Sequence, residues 1–503
     1  MSRIDVYSPL YSSPVVCGVV LFAFLLTLSA ALQASVSDRP HVVVILADDL
    51  GWQDVGYNGS EIETPLLDKL AQTGVRLDQF YAQPTCSPTR ASLMTGQAAL
   101  RLGVLQPINK NLKRSLPLSL AIMPQYFGEA GYQSVMAGKW HLGHASRAQL
   151  PNARGFEHSY GNVTGGVGYW DHRHGGGLDW HRNGKVLREE GYATHLVAAE
   201  SVRLIESRDR ERPLFLYVAF NAPHLPNEAP IETVDKYRQI ENPNRRVHAA
   251  MVDELDQAVG QILTALEKAD MADNTLVWFM SDNGGLKPGA NPPVAEKAVA
   301  WLTDWFGRPL PDFGGLEFLR TNVEDGGSNN GPYRRGKGSV YQGGVLVPSV
   351  ISWPGSLDAR RVKGRITVQD VLPTLASVAG LSLREDQAVD GRSQWPAIAD
   401  GTVQKAPDFV IKGFDGEALY HDQWKLVVEN QDAPELYNMT QDKTEQINLA
   451  AVHPEQLSAL QDRLADYPRG ASIHETPLWR ILLDPDAFGG EEDREPWADR
   501  VKD

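Results

Sequence analysis

The sequence HVVVILA at His41–Ala47 runs directly into Asp48 and Asp49, and this stretch decides the fold class. Its apolar, β-branched residues do not alternate with polar ones, which predicts a strand buried on both faces of a sheet. Four further apolar runs predict strands, and helical stretches lie between them. The predicted strands cover His41–Ala47, 132–137, 214–220, 275–280 and 345–352. This alternation predicts an α/β fold in which helices sandwich a large mixed, mostly parallel sheet.

The predicted helices cover 65–73, 118–130, 194–206, 245–268 and 368–379, and three of them end at a glycine. Two regions break the alternation. Segment 286–335 is rich in glycine, proline and aromatic residues, which predicts a long functional or mobile loop. After about residue 400, short strands at 408–412, 417–420, 424–428 and 435–437 precede a helix at 454–467, which predicts a small antiparallel sheet with a helix.

The N-terminal residues predict a secretory signal peptide, because Arg3 precedes an apolar run at 15–32 that small residues follow. An uncleaved membrane anchor is the alternative. We therefore predict a signal peptide at 1–34, a catalytic domain at 35–400, a C-terminal α+β subdomain at 401–488 and a polar tail at 489–503. An exported chain that has lost its signal has no membrane segment, and a bacterial periplasm or exterior is favoured over a lysosome.

The chain of 503 residues has 63 acidic and 48 basic residues, and its net charge of −15 argues against a nucleic-acid partner. A polyanionic substrate would need a local basic pocket to offset this charge. The two cysteines are Cys17, inside the apolar run, and Cys86, so the mature chain keeps one and forms no internal disulfide. A single thiol in an oxidising compartment is open to oxidation, so its presence needs a reason.

Acidic and amide side chains follow two of the predicted strands. Asp48 and Asp49 follow the strand at 41–47, and Asp282 and Asn283 follow the strand at 275–280. Ligands of open α/β sheets bind beyond the carboxyl ends of the strands. Oxygen donors alone suit a hard cation, Ca²⁺ or Mg²⁺, rather than zinc. One such pair would more often cap a turn, but two pairs after two buried strands favour a metal site.

Cys86 opens a segment that predicts a short helix, with Ser87 as its cap, Pro88 as its first residue and Gly96 as its stop. A helix start favours an anion, and Arg90 lies one turn further along. A buried structural thiol is the alternative.

Basic side chains follow the other strands or precede them. Lys139 and His141 follow the strand at 132–137, His224 follows the strand at 214–220, and Lys337 lies in a Gly-rich stretch before 345–352. Each of them alone could be a surface residue. Together, a metal site, a reactive cysteine and several cations fit hydrolysis of a sulfate or phosphate ester in an exported enzyme.

The segment Cys86-Ser87-Pro88-Thr89-Arg90, followed by Leu93, Thr95 and Gly96, resembles the signature of the type I sulfatases. In that pattern the cysteine is oxidised to Cα-formylglycine (3-oxoalanine) during export. Further similar segments are Ala47-Asp48-Asp49-Leu50-Gly51, Gly138-Lys139-Trp140-His141-Leu142-Gly143, Ala222-Pro223-His224 and Ser281-Asp282-Asn283-Gly284-Gly285. The resemblance covers about 41–467 and implies an alkaline-phosphatase-like fold.

Within the family, Arg154-Gly155-Phe156 and the run at 327–332 are similar to the arylsulfatase B (N-acetylgalactosamine 4-sulfatase) group. Gln342 and Leu346 depart from the family pattern, because an acidic residue and an arginine are common at those places. These departures concern the substrate rather than the reaction.

The resemblance also implies cofactors and roles. One Ca²⁺ per chain would be held by Asp48, Asp49, Asp282 and Asn283 together with residue 86. The hydrated aldehyde would attack sulfur and form a covalent sulfate hemiacetal. A formylglycine-generating enzyme would be a maturation partner, which explains why one cysteine survives export.

The remaining roles implied by the resemblance belong to basic residues. Arg90 and Lys139 would stabilise the hydrate and the sulfate oxygens. His224 and Lys337 would assist the departing alcohol, and His141 would take the proton that re-forms the aldehyde.

A sulfated carbohydrate is the expected substrate, rather than a simple aryl sulfate, because aromatic and basic residues concentrate in a Gly-rich region. An ordered surface loop is the alternative reading of this region. The candidate substrate residues are Trp170, His172, Arg173 and His174, and Trp301, Trp305 and Phe306 could form a second wall. For the whole chain, a phosphate or phosphonate ester hydrolase of the same superfamily and a catalytically silent glycan-binding protein remain as alternatives.

Overall fold

A computed structural model describes residues 39–110, 112–174, 177–287, 293–306, 316–402, 404–414, 416–429 and 432–474. The predicted signal peptide at 1–34 and the predicted tail at 489–503 lie outside the described residues. Within them, no helix combines the length and the apolar character that crossing a membrane requires.

The strands of the described residues form four sheets. Their bounds are β1 His41–Ala47, β2 Val75–Leu77, β3 Phe80–Tyr81, β4 Gln133–Gly138, β5 His158–Gly161, β6 Arg173–His174, β7 Gly177–Leu178, β8 His181–Arg182, β9 Lys185–Val186, β10 Leu214–Ala219, β11 Thr275–Ser281, β12 Leu346–Val347, β13 Ser349–Ser352, β14 Arg360–Val362, β15 Ile366–Thr367, β16 Phe409–Lys412, β17 Gly416–His421, β18 Trp424–Glu429 and β19 Glu435–Asn438.

The α-helices lie mostly between strands, as the alternation of apolar runs predicts. Their bounds are α1 Pro65–Thr73, α2 Cys86–Thr95, α3 Ala99–Leu102, α4 Met123–Glu129, α5 Ala193–Glu206, α6 Ile231–Lys236, α7 Pro243–Lys268, α8 Pro293–Phe306, α9 Leu316–Glu324, α10 Gln342–Val345, α11 Val371–Ala379, α12 Trp395–Ala399 and α13 Pro454–Ala465.

The large sheet has ten strands in the order β14-β2-β13-β11-β1-β10-β4-β5-β8-β9. Strands β11, β1, β10, β4 and β5 are parallel, and Val44 of β1 pairs with Tyr217 on one side and with Trp278 on the other. The buried side chains of the sheet divide into two apolar clusters that helices complete, with Val42, Val44 and Leu46 in one and Val43 and Ile45 in the other. The predicted α/β fold, with a mixed and mostly parallel sheet, is confirmed.

The prediction of one continuous strand at 345–352 is wrong. Val345 ends the short helix α10, and the remaining residues form β12 and β13, which belong to different sheets. Pro348 lies between the two strands and has no N–H to donate, which favours a break in a ladder. Strand β13 also runs antiparallel to β11.

The prediction of a long loop at 286–335 is wrong for the part that the structure describes. This segment contains helices α8 and α9. Both helices are amphipathic, but the glycines and prolines of the segment favoured a loop in the prediction from sequence.

The four strands β16 to β19 form an antiparallel sheet in chain order, against which α13 packs. Their bounds agree with the predicted strands to within one or two residues, so the small C-terminal sheet with its helix is confirmed. The domain boundaries themselves remain predictions.

Candidate active site

The carboxyl ends of β1, β11 and β4 bring the predicted acidic and basic residues together, as parallel neighbours in one sheet require. The Lys139 ammonium donates to the Asp48 carboxylate, and both side chains are buried. The Lys337 Nζ atom lies 2.7 Å from Asp49 Oδ2. Three cations and three carboxylates thus meet in one buried cluster, which we call the charge cluster: Arg90, Lys139, Lys337, Asp48, Asp49 and Asp282.

Arg90 connects two members of this cluster through hydrogen bonds. Its Nε and Nη2 atoms donate to Asp282 Oδ2 at 3.1 and 2.8 Å, and its Nη1 donates to the Lys139 carbonyl at 2.9 Å. The side chains of Arg90 and Asp282 are fully buried. Removing one member of a buried ion pair usually costs about 3–5 kcal/mol, because the other charge is left uncompensated.

The two carboxylates of Asp48 and Asp282 repel each other. Burial and the Asp48 charge raise the pKa of Asp282, against the opposing effects of Arg90 and Lys139. Burial would also raise the pKa of Asp48, but Lys139, His224 and Arg90 hold it well below its usual range. A cation between the two carboxylates would relieve this repulsion.

The residues fit a hard divalent cation. Asp48 Oδ1 and Asn283 Oδ1 are buried and have no hydrogen-bond partner among the described residues, which is unusual for buried polar atoms. Asn283 Nδ2 donates to Asp49 Oδ1 at 2.7 Å, which fixes the orientation of the amide. One ligand atom from each of Asp48, Cys86 and Asp282 lies within 4.8 Å of the others.

Cys86 is the first residue of helix α2 and is almost completely buried. The predicted cap is wrong, because the helix begins earlier and Thr85 takes the cap position. Ser87 instead lies inside the first turn, where its Oγ donates to the His141 carbonyl at 2.9 Å and accepts from the Ile108 N–H. Burial raises the pKa of the Cys86 thiol, although Lys139 and Lys337 oppose this.

His141 has one ring nitrogen free to accept a proton. Its Nε2 lies 3.0 Å from the Ile108 carbonyl oxygen, which can only accept, so Nε2 carries the hydrogen. Its Nδ1 is buried and has no hydrogen-bond partner in the part of the chain that the structure describes. Burial, Lys139 and Arg90 lower the pKa of His141 well below its usual value, so the imidazole is neutral with its lone pair on Nδ1.

His224 lies next to the Lys337–Asp49 pair. Its Nδ1 donates to the Leu225 carbonyl at 2.6 Å, and its Nε2 lies 3.7 Å from Asp49 Oδ2. Burial and Lys337 lower the pKa of His224. Burial would lower the pKa of Lys337 too, but Asp49 raises it above its usual value, so Lys337 stays protonated.

The four predicted substrate residues do not share one environment. His174 lies at the site, since a β-carbon added to Gly166 would meet His224 at 3.4 Å and His174 Nδ1 at 3.6 Å. Trp170 is 51% exposed, and Arg173 is half-buried on β6.

The prediction that His172 lines the substrate cleft is wrong. Its side chain is 1% exposed and stacks on Trp180 with ring centroids 4.6 Å apart. Its Nε2 contacts the Gly191 carbonyl at 3.0 Å. His172 therefore packs inside the fold. Residues two apart on an extended strand share a face, so the sequence could not separate His172 from His174, and the positive φ of 55° at His172 is what breaks the extended pattern.

Sequence reasoning missed a buried group behind the charge cluster. Asp54 accepts from Ser328 Oγ at 2.5 Å and lies 3.1 Å from His248 Nε2, and Arg245 also donates to it. Ser328 Oγ also lies 3.2 Å from the Asp49 carbonyl oxygen. Asp54 lies in no predicted element, so no local pattern pointed to it.

A second feature that sequence reasoning missed is the turn that contains Gly165 and contacts the His141 ring. A β-carbon on Gly165 would come within 2.8 Å of the His141 ring, so only glycine fits this close approach. Asp179 holds the turn by accepting from the backbone N–H groups of Val163 and Thr164 at 3.1 and 2.9 Å.

Comparisons with known proteins agree with this geometry. The sequence model of the Sulfatase family matches residues 40–381. Mouse arylsulfatase J is 33% identical over 378 residues, which cover 73% of this chain and 56% of the relative. Human N-acetylgalactosamine-6-sulfatase is 30% identical over 398 residues, which cover 74% of this chain and 68% of the relative. The chain thus spans little more than half the length of the mouse arylsulfatase.

Solved structures show the same fold. The structure of Ps i-CgsB in complex with k-i-k-neocarrahexaose has a TM-score of 0.75 and 28% identity, and covers 90% of this chain and 99% of that one. The PsFucS1 sulfatase from Pseudoalteromonas sp. has a TM-score of 0.66 and 24% identity, and covers 88% of this chain and 93% of that one. This chain belongs to the sulfatase family.

Proposed function

We propose that this chain hydrolyses sulfate esters of a carbohydrate, in a site that holds one Ca²⁺ and a formylglycine made from Cys86. The charge cluster carries the proposal, since it surrounds a single cysteine at a helix start with three cations and three carboxylates. Sulfate is an anion. The three cations and three carboxylates of the cluster balance, so a bound divalent cation would give the site the local positive charge that sulfate needs in a protein of net charge −15.

Asp48, Asp49, Asp282 and Asn283 would hold the cation, with residue 86 beside them. Their donors are all oxygens, which supports Ca²⁺ over zinc, and the unpartnered Oδ1 atoms of Asp48 and Asn283 supply two donors without breaking a hydrogen bond. When bound, the ion would act as a Lewis acid on a sulfate oxygen.

The buried thiol of Cys86 is a poor nucleophile, because its raised pKa keeps it protonated. A formylglycine at this position would supply a hydroxyl nucleophile in its hydrated form. Formation of this group requires oxidation of the cysteine, so we infer a formylglycine-generating enzyme as a maturation partner.

Lys139 and Lys337 would position the sulfate oxygens and the leaving oxygen respectively. Both are ammonium groups that contact a site carboxylate, so each is held in place while keeping hydrogens for a second acceptor. His224 would act beside Lys337, with Nε2 as the nitrogen that faces the cluster. Arg90 contributes through Asp282, whose carboxylate it orients.

His141 is suited to be the general base. Its Nε2 hydrogen is committed to the Ile108 carbonyl, so Nδ1 is the atom that would take a proton. The lowered pKa keeps that lone pair available at neutral pH. Gly165 leaves room for the ring, because a β-carbon at this position would come within 2.8 Å of it.

The carbohydrate part of the proposal rests on the residues near His224. His174 approaches His224 at Gly166, and the exposed Trp170 belongs to the same turn region. An aromatic face packs against the C–H side of a sugar ring, while imidazole binds hydroxyl or sulfate oxygens. The bound oligosaccharide in the similar Ps i-CgsB structure supports a sulfated sugar as substrate.

The proposal is tested by comparing ester classes on the mature protein. We expect release of sulfate from sulfated galactan oligosaccharides at least ~100-fold faster than release of phosphate from a matched phosphate monoester. Phosphate release that equals or exceeds sulfate release would assign the chain to the phosphate or phosphonate hydrolases instead. Tight oligosaccharide binding without any release by formylglycine-containing protein would support a silent glycan-binding protein.

The proposed contact of His174 with the sugar of the substrate is tested by the change His174→Ala. We expect the kcat/KM for a sulfated oligosaccharide to fall about 10-fold or more, because His174 would lose a polar contact to the sugar. The kcat/KM for a small aryl sulfate should fall by less than about threefold, since the aryl ester has no sugar to contact.

Trp170→Ala should show the same selectivity, and His172→Ala provides the contrast. Since His172 packs inside the fold, its replacement should lower the thermal stability and affect both substrates equally. An equal loss of kcat/KM on both substrates for His174→Ala would refute the proposed contact of His174 with the sugar.

We also infer that the chain is exported, to a periplasm or to the exterior of the cell, with 1–34 as the signal peptide. The support is the sequence pattern of these residues and the single cysteine of the mature chain.

A further inference from the structure

A cleft that none of the charge-cluster residues lines lies between the predicted catalytic domain and the small C-terminal sheet. Its volume is about 460 Å³, which is in the range of ligand sites. We call it the interface cleft and define it by Gln79, Arg365, Lys405, Tyr420, Asp422 and Lys443.

The wall of the interface cleft carries more positive than negative charge. Three of its residues are cations, and Asp422 is the single carboxylate among its described lining residues. That carboxylate is paired with Lys405 at 2.9 Å. The side chain of Lys443 is exposed, and no described carboxylate forms an ion pair with it.

Arg365 is fixed at the edge of the cleft without a carboxylate partner among the described residues. Its Nη1 and Nη2 atoms donate to the backbone carbonyls of Asp422 and Pro407, each at 3.1 Å. The guanidinium lies 5.6 Å from the centre of the Tyr420 ring. Two carbonyls use two of its five N–H groups, so the charge is held rigidly and remains available to an anion.

Three cations face one carboxylate in the described wall of the cleft, so this wall keeps a net positive charge in a protein of net charge −15, and that charge favours an anion. Arginine offers a planar fork that matches the oxygens of a sulfate group, and lysines add charge without fixed direction. Gln79 adds an amide at the cleft wall, of the kind that binds a sugar hydroxyl.

We propose that the interface cleft is a second binding site for a sulfated sugar unit of the substrate polymer, separate from the catalytic site. This inference rests on the proposed function, since it assumes a sulfated carbohydrate as substrate. Such a site holds a second stretch of the same chain, and so raises the effective concentration of ester groups near the catalytic centre.

The first test is binding to the Cys86→Ala protein, which cannot turn the ligand over. Titration calorimetry with a sulfated galactan hexasaccharide at low ionic strength should show binding beyond one equivalent. Lys405→Ala and Lys443→Ala together should remove the additional equivalent or weaken it about fivefold or more, because two of the three cations are lost. Arg365→Met is a further variant, with unfolding measured alongside because Arg365 also holds two carbonyls.

The second test is turnover by otherwise unchanged enzyme. The double lysine variant should lose about threefold or more in kcat/KM on a long sulfated polymer and nothing on a small aryl sulfate. Lys268→Ala, at the exposed end of α7, is the matched control and should change neither value.

The outcomes separate this proposal from the proposed function. Loss of polymer selectivity with intact aryl sulfate turnover supports the second site, whereas absent aryl and oligosaccharide turnover in unmutated protein contradicts the proposed function itself. Hexasaccharide binding that is unaffected by all three substitutions overturns the second site. Binding of inorganic sulfate alone, without the hexasaccharide, overturns it as a sugar site and leaves a free-anion site.

Discussion

Replacing Cys86 by alanine is expected to reduce sulfate ester turnover by at least ~10⁴-fold, because the change removes the nucleophile. The structure gives a reason beyond the motif. Cys86 has its side chain among Asp48, Asp282 and Lys139, in a place where burial keeps a thiol protonated. A protonated thiol neither attacks sulfur nor binds a hard cation well, whereas the hydrated aldehyde brings oxygen to the same position.

The readouts are initial rates and the mass of the peptide that contains residue 86. Active wild-type protein should carry an aldehyde in place of the thiol. The alanine variant should unfold within about 1–2 kcal/mol of wild type, since it loses one buried sulfur. Fully active protein with an unmodified cysteine at this position would refute the assignment, and so would an alanine variant that keeps its activity.

Much of this site could be predicted from the sequence, because its acidic residues follow strands that are themselves easy to recognise. The strand β1 has the predicted bounds, and β11 extends only one residue beyond its prediction. Once two apolar runs are recognised as parallel strands in one sheet, the positions of Asp48 and Asp282 follow from topology. Their pairing across the strand ends needs no knowledge of the side-chain conformations.

The partners of these residues could not be predicted in the same way. Arg90 was expected to stabilise the sulfate oxygens, whereas it donates two hydrogen bonds to Asp282. A sequence pattern predicts that an arginine lies near the site. It does not predict which groups accept from the five N–H groups of the guanidinium, because that depends on which carboxylates are buried beside it. His172 and His174 show the same limit, since both are histidines in one loop and only His174 lies beside His224.

Contacts between residues that lie in no predicted element could not be predicted from the sequence. The group around Asp54 joins residues far apart in the chain, with Arg245 and His248 on α7 and Ser328 after α9. Such contacts arise from the packing of the whole domain, so they have no local signal. The prediction for segment 286–335 was wrong for a different reason, because glycines and prolines on either side of its helices predict a loop.

The second large effect is expected for Asp282→Asn, which removes one charge and keeps the size of the side chain. The wild-type carboxylate has two tasks: it accepts both donors of Arg90 at Oδ2, and Oδ1 lies 3.3 Å from the Asp49 N–H. Burial and Asp48 raise its pKa, so in the absence of a cation part of the population is already neutral at pH 7. The asparagine variant keeps the size of the side chain but removes the anion that Arg90 contacts. Without metal it should therefore be less stable than metal-free wild type, by less than the ~3–5 kcal/mol expected for a fully charged buried pair.

With metal, the two proteins should differ strongly, because the variant lacks a charged oxygen ligand. We expect Ca²⁺ to bind Asp282→Asn at least ~100-fold more weakly and turnover to fall about 10³-fold or more. Added Ca²⁺ should raise the melting temperature of chelator-treated wild type but not that of the variant, since only binding to the folded state stabilises it. Asp358→Asn, whose side chain is 99% exposed, is the control and should behave as wild type in both measurements. A variant that retains one Ca²⁺ per chain and normal turnover would contradict the metal assignment. Loss of stability in the metal-free state alone would instead identify Asp282 as the partner that Arg90 needs to fold.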